Sequence, residues 1–230
     1  MLEQGVSGLL IIIIVCLIVI AFAAVVYIQD GTDFTKQTKY SFFDILLKNE
    51  VRTLNTIYKA LQKAQGEYRI LVNVHVQDGA TVHKIPAVLV HESGIHIVST
   101  IKKDGWVIGS DRMLNWTNVL YGNKQQTFEN PILTNKRSIY ALRDSVMDLP
   151  DKLFHSVIAF NDGCSFQKIE INADDVEVLK HKDLSNWAKS LASESLSADD
   201  IKSIYESLKD KMVFDKEVVA KQLKGKSKVA

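Results

Sequence analysis

The sequence predicts an α/β protein in which a mixed sheet is flanked by helices, with a transmembrane helix before it and a helical tail after it. Residues 8–28 contain no charged side chain. Between residues 41 and 180, segments with the apolar spacing of helices alternate with short strand-like segments, and residues 181–230 show helical patterns throughout. This order of helix, strands, helix and strands is typical of a sheet covered by helices.

The uncharged run at residues 8–28 is long enough to cross a membrane. As a helix it would reach about 30 Å, the thickness of the hydrocarbon core of a bilayer. A cleaved signal peptide is the rival interpretation, because Ala21-Phe22-Ala23 resembles a small-residue cleavage site. However, neither Lys nor Arg precedes the run, and the run is longer than a signal-peptide core. We therefore predict a membrane anchor.

The charges beside this run predict its orientation. Residues 1–7 form a flank without Lys or Arg, whereas Lys36, Lys39 and Lys48 follow the run, the first two within the juxtamembrane spacer at residues 29–40. Basic residues accumulate on the cytoplasmic side of a span. We expect a single-pass protein of a bacterial inner membrane, with its N-terminus outside and its body in the cytoplasm.

Composition restricts the function of the body. The net charge is only +1, so the protein lacks the strong positive field that nucleic-acid-binding proteins usually carry. The two cysteines, Cys16 and Cys164, lie in the predicted span and in the body, which leaves no internal disulfide. The sequence contains neither a phosphate loop nor a dinucleotide fingerprint, and we expect no cofactor.

The first helix of the body is predicted over residues 41–64, with Ser41 as its N-cap and Gly66 after its end. Glu50 falls on its apolar stripe. Either its carboxylate is a relic of an active site and pairs with a buried group, or the residue lies at the edge of the stripe and its carboxylate reaches water. The apolar residues that define the stripe are Phe43, Leu46, Leu47, Leu54, Ile57, Tyr58 and Leu61.

Strands and one further helix follow. Asn130-Pro131 predicts the start of a helix that ends before Pro150, and Asn161-Asp162-Gly163 predicts a turn. A second turn, His91-Glu92-Ser93-Gly94, joins two apolar strands. The predicted strands cover residues 69–76, 85–90, 95–100, a short segment after Gly105-Trp106, 156–160, 167–171 and 175–179.

The tail at residues 181–230 is predicted to be helical, with a capping box that begins at Ser197. Its apolar residues could dock onto the domain or onto another protein, and both remain open. The candidate partner-binding residues are Trp187, Leu191, Ile204, Leu208, Val218 and Leu223.

The stretch at residues 83–110, with residues 116–122 (WTNVLYG) and 128–131 (FENP), resembles the nuclease-related domain, NERD, of the PD-(D/E)XK superfamily. The resemblance covers roughly residues 48–208 and departs from the family at Thr134, where a Gln is frequent. It implies a restriction-endonuclease-like fold, with the NERD-like domain at residues 41–180.

The resemblance also implies that the catalytic residues are missing. Where the family has Gln-Ile-Asp-His, this chain reads Lys84-Ile85-Pro86-Ala87, and where it has Glu-x-Lys, the chain reads Ser99-Thr100-Ile101. Such sites need carboxylates to hold a divalent cation and a Lys to stabilise developing charge. Lys102 follows Ile101 and would point to the opposite face of the strand. Only Glu50 stands where the family has a helical Glu, so we expect neither a metal nor catalysis.

Other candidate groups are weaker. His75, His83 and His91 lie on or beside successive strands, but their spacing does not resemble a zinc site. Cys164 follows a glycine in a turn and has no identifiable His partner in the sequence.

Three functions are therefore compared. The favoured one is a non-catalytic, membrane-anchored scaffold or adaptor in a bacterial membrane protein complex, for which a type IV secretion or conjugation coupling complex is one setting. The second is a membrane-tethered nucleic-acid-binding protein. The third is a nuclease with a migrated site built from Glu50, Asp104 or Asp111.

Overall fold

The structure, a computed structural model, describes residues 2–144, 146, 149–192 and 195–214, with residues 2–11 described as backbone only. The helices are α1 (Leu2–Asp30), α2 (Asp33–Thr38), α3 (Phe42–Leu47), α4 (Asn49–Leu61), α5 (Pro131–Arg143), α6 (Leu184–Ser190) and α7 (Ala198–Leu208). The strands are β1 (Tyr68–Asp78), β2 (Thr81–His91), β3 (Gly94–Ile101), β4 (Gly105–Ser110), β5 (Asn115–Val119), β6 (Gln125–Glu129), β7 (Phe154–Phe160), β8 (Cys164–Glu170) and β9 (Val176–Lys180).

The chain forms two compact units, Met1–Asn55 and Thr56–Ala230. In the first unit, α1 contains the whole of the predicted span. Its segment Ile12–Asp30 is long and apolar enough to cross a membrane, and its apolar side chains are exposed. A signal sequence near an N-terminus has the same length and composition.

Two short helices follow α1, and one prediction about them is wrong. Ser41 caps α3 as expected, in a capping box with Asp44. The predicted helix over residues 41–64, however, is divided between α3 and α4, because Lys48 has an extended backbone (φ −102°, ψ 110°). Its apolar residues also divide: Phe43, Leu46 and Leu47 of α3 are exposed, whereas those of α4 are buried.

The second unit contains two mixed sheets flanked by helices, which confirms the predicted fold class. The number of sheets differs from the prediction, which was a single sheet. The larger sheet has the order β1-β2-β3-β7-β9, in which β3, β7 and β9 are parallel to one another. The smaller sheet has the order β6-β5-β4-β8, in which β4 and β8 are parallel. The parallel pair β3–β7 thus continues, after two short connections, as the parallel pair β4–β8.

Helices α5 and α7 pack against the larger sheet. Asn130 caps α5 and Pro131 occupies its first turn, as predicted, and α5 ends at Arg143, several residues earlier than the expected end at Pro150. Helix α7 begins at the predicted capping box of Ser197 with Asp200. The core that these helices share with the sheet includes Leu71, Val88, Ile97, Leu142, Leu196, Ile201, Ile204 and Leu208.

The core of the smaller sheet is built around Trp116, which is fully buried. Its ring stacks on Phe160 at 5.9 Å between centroids, and its Nε1–H donates to the carbonyl of Ser110 at 2.9 Å. Gly109 lies under the same ring, and a Cβ at this glycine would come within 2.2 Å of Trp116. The indole therefore requires glycine at position 109.

We predict that Gly109→Ala lowers the free energy of unfolding by about 1–3 kcal/mol, the usual cost of overpacking a filled core. Urea unfolding of the full chain in detergent, followed by far-UV circular dichroism, measures the change. Ser165→Ala, at an exposed position of the adjacent strand β8, is the control. Equal stability of the two variants would contradict the close contact between Gly109 and the indole.

Candidate functional site

Pro86 lies at an irregular point of β2. The ladder with β1 pairs Val72 with Ala87 and Val74 with Ile85, and skips the intervening Asn73 and Pro86. Asn73 has a left-handed backbone (φ 54°). Because a proline cannot donate a ladder hydrogen bond, this distortion is what lets Pro86 stand inside the sheet.

The segment after α7 forms hydrogen bonds with this irregular point at the outer edge of β1. The N–H of Val213 donates to the carbonyl of Asn73 at 3.0 Å, and the side-chain amide of Asn73 donates to the carbonyl of Val213. Met212 forms an isolated antiparallel bridge with Val74. The segment after α7 therefore provides the edge strand with hydrogen bonds where its regular geometry fails.

Ser99 is engaged by α5. Its hydroxyl donates to Oδ1 of Asn135 at 2.5 Å. The amide of Asn135 in turn donates to the carbonyl of Ile97 and to the hydroxyl of Ser156, both at 2.9 Å. Asn135 and Ser156 are buried, so this group joins β3, β7 and α5 through neutral polar contacts.

These residues do not fit the divalent cation of a nuclease. A hard cation needs negatively charged oxygen ligands, whereas Pro86 has no side-chain oxygen and the hydroxyl of Ser99 is committed to Asn135. Ile101 packs beside the core of the smaller sheet, and Lys102 lies exposed beyond the end of β3. In the described part of the chain, there is no group of three or more His, Cys, Asp or Glu residues placed to hold a metal ion.

The acidic residues of the migrated-site hypothesis are separated. Asp104 precedes β4 and Asp111 follows it, which puts them about 23 Å apart along an extended strand. Backbone N–H groups of Asn172 and Ala173 donate to Asp111, and the bond from Asn172 is the main reason why its pKa is lowered. Glu50 is exposed in the first turn of α4, which agrees with the alternative in which it lies at the edge of the stripe and reaches water, and not with a buried partner.

Cys164 is buried, and its burial raises the pKa of the thiol. Its Sγ–H donates to the carbonyl of Asn161. A thiol held in this protonated form is a poor nucleophile.

On the other face of β3, a serine lies between two histidines. The hydroxyl of Ser93 is 2.8 Å from Nδ1 of His91 and 2.8 Å from Nε2 of His96. The backbone N–H of Ser93 also donates to Nδ1 of His91, so this nitrogen is an acceptor and the ring proton lies on Nε2, which donates to the carbonyl of Gln65. These bonds fix the turn between β2 and β3.

A third histidine and a tryptophan complete this histidine cluster of His91, His96 and His155. The ring of His155 stacks on His96 at 4.8 Å, and Trp187 of α6 contacts His96 edge-on at 5.3 Å. Burial, with the neighbouring His155 and His91, lowers the pKa of His96 well below its ordinary value, and burial also lowers the pKa of His155. Both shifts favour the neutral imidazole forms of His96 and His155.

The sequence predicted only part of this arrangement. His91 is in the cluster, but His75 bonds to the backbone of its own strand and lies in β1, and His83 lies at the other end of β2. His96 and His155 were missed because they meet through the parallel pairing of β3 with β7, where they stand in register. Asn135 was missed because a polar residue on a helix does not reveal which strand it faces.

Four of the predicted partner-binding residues can be placed. Ile204 and Leu208 belong to the core between α7 and the larger sheet, which makes them unavailable to a partner and corrects that expectation. Trp187 and Leu191 are half-buried. Val218 and Leu223 lie outside the described residues.

We predict that Asn135→Leu costs about 1–3 kcal/mol of unfolding free energy, because it leaves the buried hydroxyl of Ser156 and the half-buried hydroxyl of Ser99 without their partner. Adding Ser99→Ala and Ser156→Ala to that variant should recover part of the loss, since removing all partners avoids unsatisfied groups. Ser138→Ala, on the same helix, is the control in denaturant unfolding. A triple variant no more stable than Asn135→Leu alone would show that the three side chains are energetically independent.

We also predict that acid destabilises the protein through His96. Its pKa is lower in the folded state, so below pH of about 6.5 the unfolded chain binds the proton first and stability falls as pH falls, by at most about 1.4 kcal/mol per pH unit for one histidine. Unfolding at a series of pH values should give a flatter dependence for His96→Gln than for the wild type. His83→Gln, outside the cluster, should keep the wild-type slope; a wild type stabilised by acid would refute the assignment.

Comparison with known proteins identifies the family of the chain. The family model of the nuclease-related domain, NERD, matches residues 47–161, half of the chain. An uncharacterized protein of Bacillus anthracis is 27% identical over 154 residues, which cover 66% of this chain and 70% of that protein. No solved structure matches the chain significantly. The chain belongs to the nuclease-related domain (NERD) family.

Proposed function

We propose that this protein is a non-catalytic, membrane-anchored scaffold or adaptor that presents a NERD domain to other proteins of a bacterial membrane complex. The observation that carries the proposal is the bond between Ser99 and Asn135. At the place where the family resemblance calls for a metal-binding carboxylate, the chain has a neutral hydroxyl that is used to hold α5 against the sheet.

The anchor is supported by α1. Its exposed apolar side chains would be costly in water, and a bilayer removes that cost. Lys36 and Lys39 follow the helix, which favours a cytoplasmic body. A cleaved signal sequence would instead release the body from the membrane.

Protein partners fit the surface of the NERD domain better than nucleic acid does. Trp106 is half exposed on β4, and Tyr121 is fully exposed just after β5, two residues beyond Val119, the partner of Trp106. Exposed aromatic side chains are typical anchors of protein interfaces. With a net charge of only +1, the chain offers little attraction to phosphate backbones. We assign the partner surface to Trp106 and Tyr121.

We expect four results with full-length protein. The protein should stay in the membrane fraction through an alkaline carbonate wash, and the purified protein should not cleave DNA or RNA in Mg²⁺ or Mn²⁺. Affinity purification from solubilised membranes should recover the same proteins with wild type and Ser99→Ala. Trp106→Ala combined with Tyr121→Ala should lose them.

Tyr140→Ala is the matched control for the aromatic surface, because Tyr140 is exposed on α5, away from the β4–β5 hairpin. Metal-dependent cleavage that Glu50→Ala abolishes would support the migrated nuclease instead. Steeply salt-dependent DNA binding would support the nucleic-acid-binding alternative. Release by the wash would refute the anchor.

A further inference from the structure

Helix α3 exposes an apolar face that the fold leaves uncovered. Phe43 and Leu46 are each 49% exposed, and Leu47 is 75% exposed. Three large apolar side chains in a six-residue helix form a contiguous patch, and such patches mark interaction sites. The sequence FFDILL has a single charged residue, Asp44, so the patch covers most of the helix.

This patch is continuous with the apolar surface of α1. The ring of Phe22 on α1 contacts Phe42 edge-on at 6.0 Å between centroids, and contacts Phe43 at 6.4 Å. Helix α3 therefore lies beside α1, about two turns before the end of that helix. Whatever medium surrounds Phe22 also meets the exposed side of α3.

The turn between α1 and α3 is fixed by local hydrogen bonds. The hydroxyl of Thr35 donates to the carbonyl of Asp30 at 2.6 Å, at the C-terminal end of α1. The carboxylate of Asp30 accepts from the backbone N–H of Phe42 at 2.6 Å, at the start of α3. These contacts hold α3 against the flank of α1.

The polar groups of α3 are satisfied in a way that suits an apolar medium. Arg52 donates to the carbonyls of Ile45 and Leu46 at the C-terminal end of the helix. Asp44 caps the N-terminal end and forms an ion pair with Lys48 at 2.5 Å, and Lys48 is exposed and can reach outward. A helix in contact with lipid needs hydrogen-bond partners within the protein for its backbone N–H and C=O groups.

The depth of α3 along α1 identifies the medium. Phe22 lies six residues before Ile28, the end of the uncharged run, which is about 9 Å along a helix. Helices that lie in a membrane interface bury their apolar face about 5–10 Å into the boundary between headgroups and acyl chains. We propose that α3 is an interfacial helix that inserts Phe43, Leu46 and Leu47 into the same phospholipid leaflet through which the C-terminal half of α1 passes.

This inference rests on the membrane anchor proposed above and adds a second point of contact to it. A single helix can rotate and tilt in a bilayer, and a second helix that inserts into the interface would restrict the rotation and tilt of α1. The lipid headgroups would be met by Lys48, which is 61% exposed.

The test places an environment-sensitive NBD fluorophore on Leu47→Cys in the full chain carrying Cys16→Ala and Cys164→Ala. The protein is reconstituted in vesicles of phosphatidylcholine and phosphatidylglycerol. Iodide reports access from water, and lipids with a nitroxide at acyl carbon 5 report contact with the interface. The same label on Ser165→Cys, an exposed site on β8, is the matched control.

We expect blue-shifted emission at position 47, severalfold stronger quenching by the nitroxide lipid than at position 165, and weaker quenching by iodide. Iodide quenching equal to that at position 165, in protein that survives the carbonate wash, would overturn the interfacial helix and leave the anchor intact. Protection from both quenchers would overturn the interfacial helix and show that another protein surface, such as a second copy of this chain, covers α3. Loss of the protein in the wash would overturn the anchor and the inference together.

Discussion

The parallel pairing of β3 with β7 is the interaction on which the rest of this fold depends. Two parallel neighbours cannot be joined by a tight turn, so the chain between them must leave the sheet and return. That crossover supplies β4, β5, β6 and α5, and Asn135 of α5 then bonds to both strands of the pair through Ile97 and Ser156. The same pairing aligns His96 with His155 on the opposite face and continues into the smaller sheet as β4–β8.

Ser99 and Pro86, which the family resemblance places at catalytic positions, both lie where neighbouring residues support the local structure. The hydroxyl of Ser99 bonds to Asn135 and so holds α5 against the sheet. A charged carboxylate at this half-buried position would have to give up part of its hydration to make the same contact. Pro86 is tolerated because the opposing Asn73 leaves the ladder and bonds to Val213 instead. Each of the two positions is coupled to a neighbour, Ser99 to Asn135 and Pro86 to Asn73.

Sequence reasoning succeeded where structure is determined by neighbours in the chain. The N-caps at Ser41, Asn130 and Ser197 follow from residue type and local spacing, and the structure confirms all three. It failed where distant segments meet. The histidine cluster, the bond from Ser99 to Asn135 and the division into two sheets depend on pairing between residues far apart in sequence. The burial of Ile204 and Leu208 could not be predicted for the same reason, because an amphipathic pattern does not show what packs against the apolar face of the helix.

The break at Lys48 shows the limit of the apolar pattern most clearly. Residues 41–64 carry one helical period, yet the chain forms two helices whose apolar side chains meet different surroundings: those of α4 are buried, and those of α3 are exposed beside α1. A period fixes only which side chains avoid water. A protein core and a lipid leaflet satisfy that requirement equally, and the pattern cannot distinguish them. The distinction comes from Phe22, because its contacts with Phe42 and Phe43 tie α3 to the apolar surface of α1.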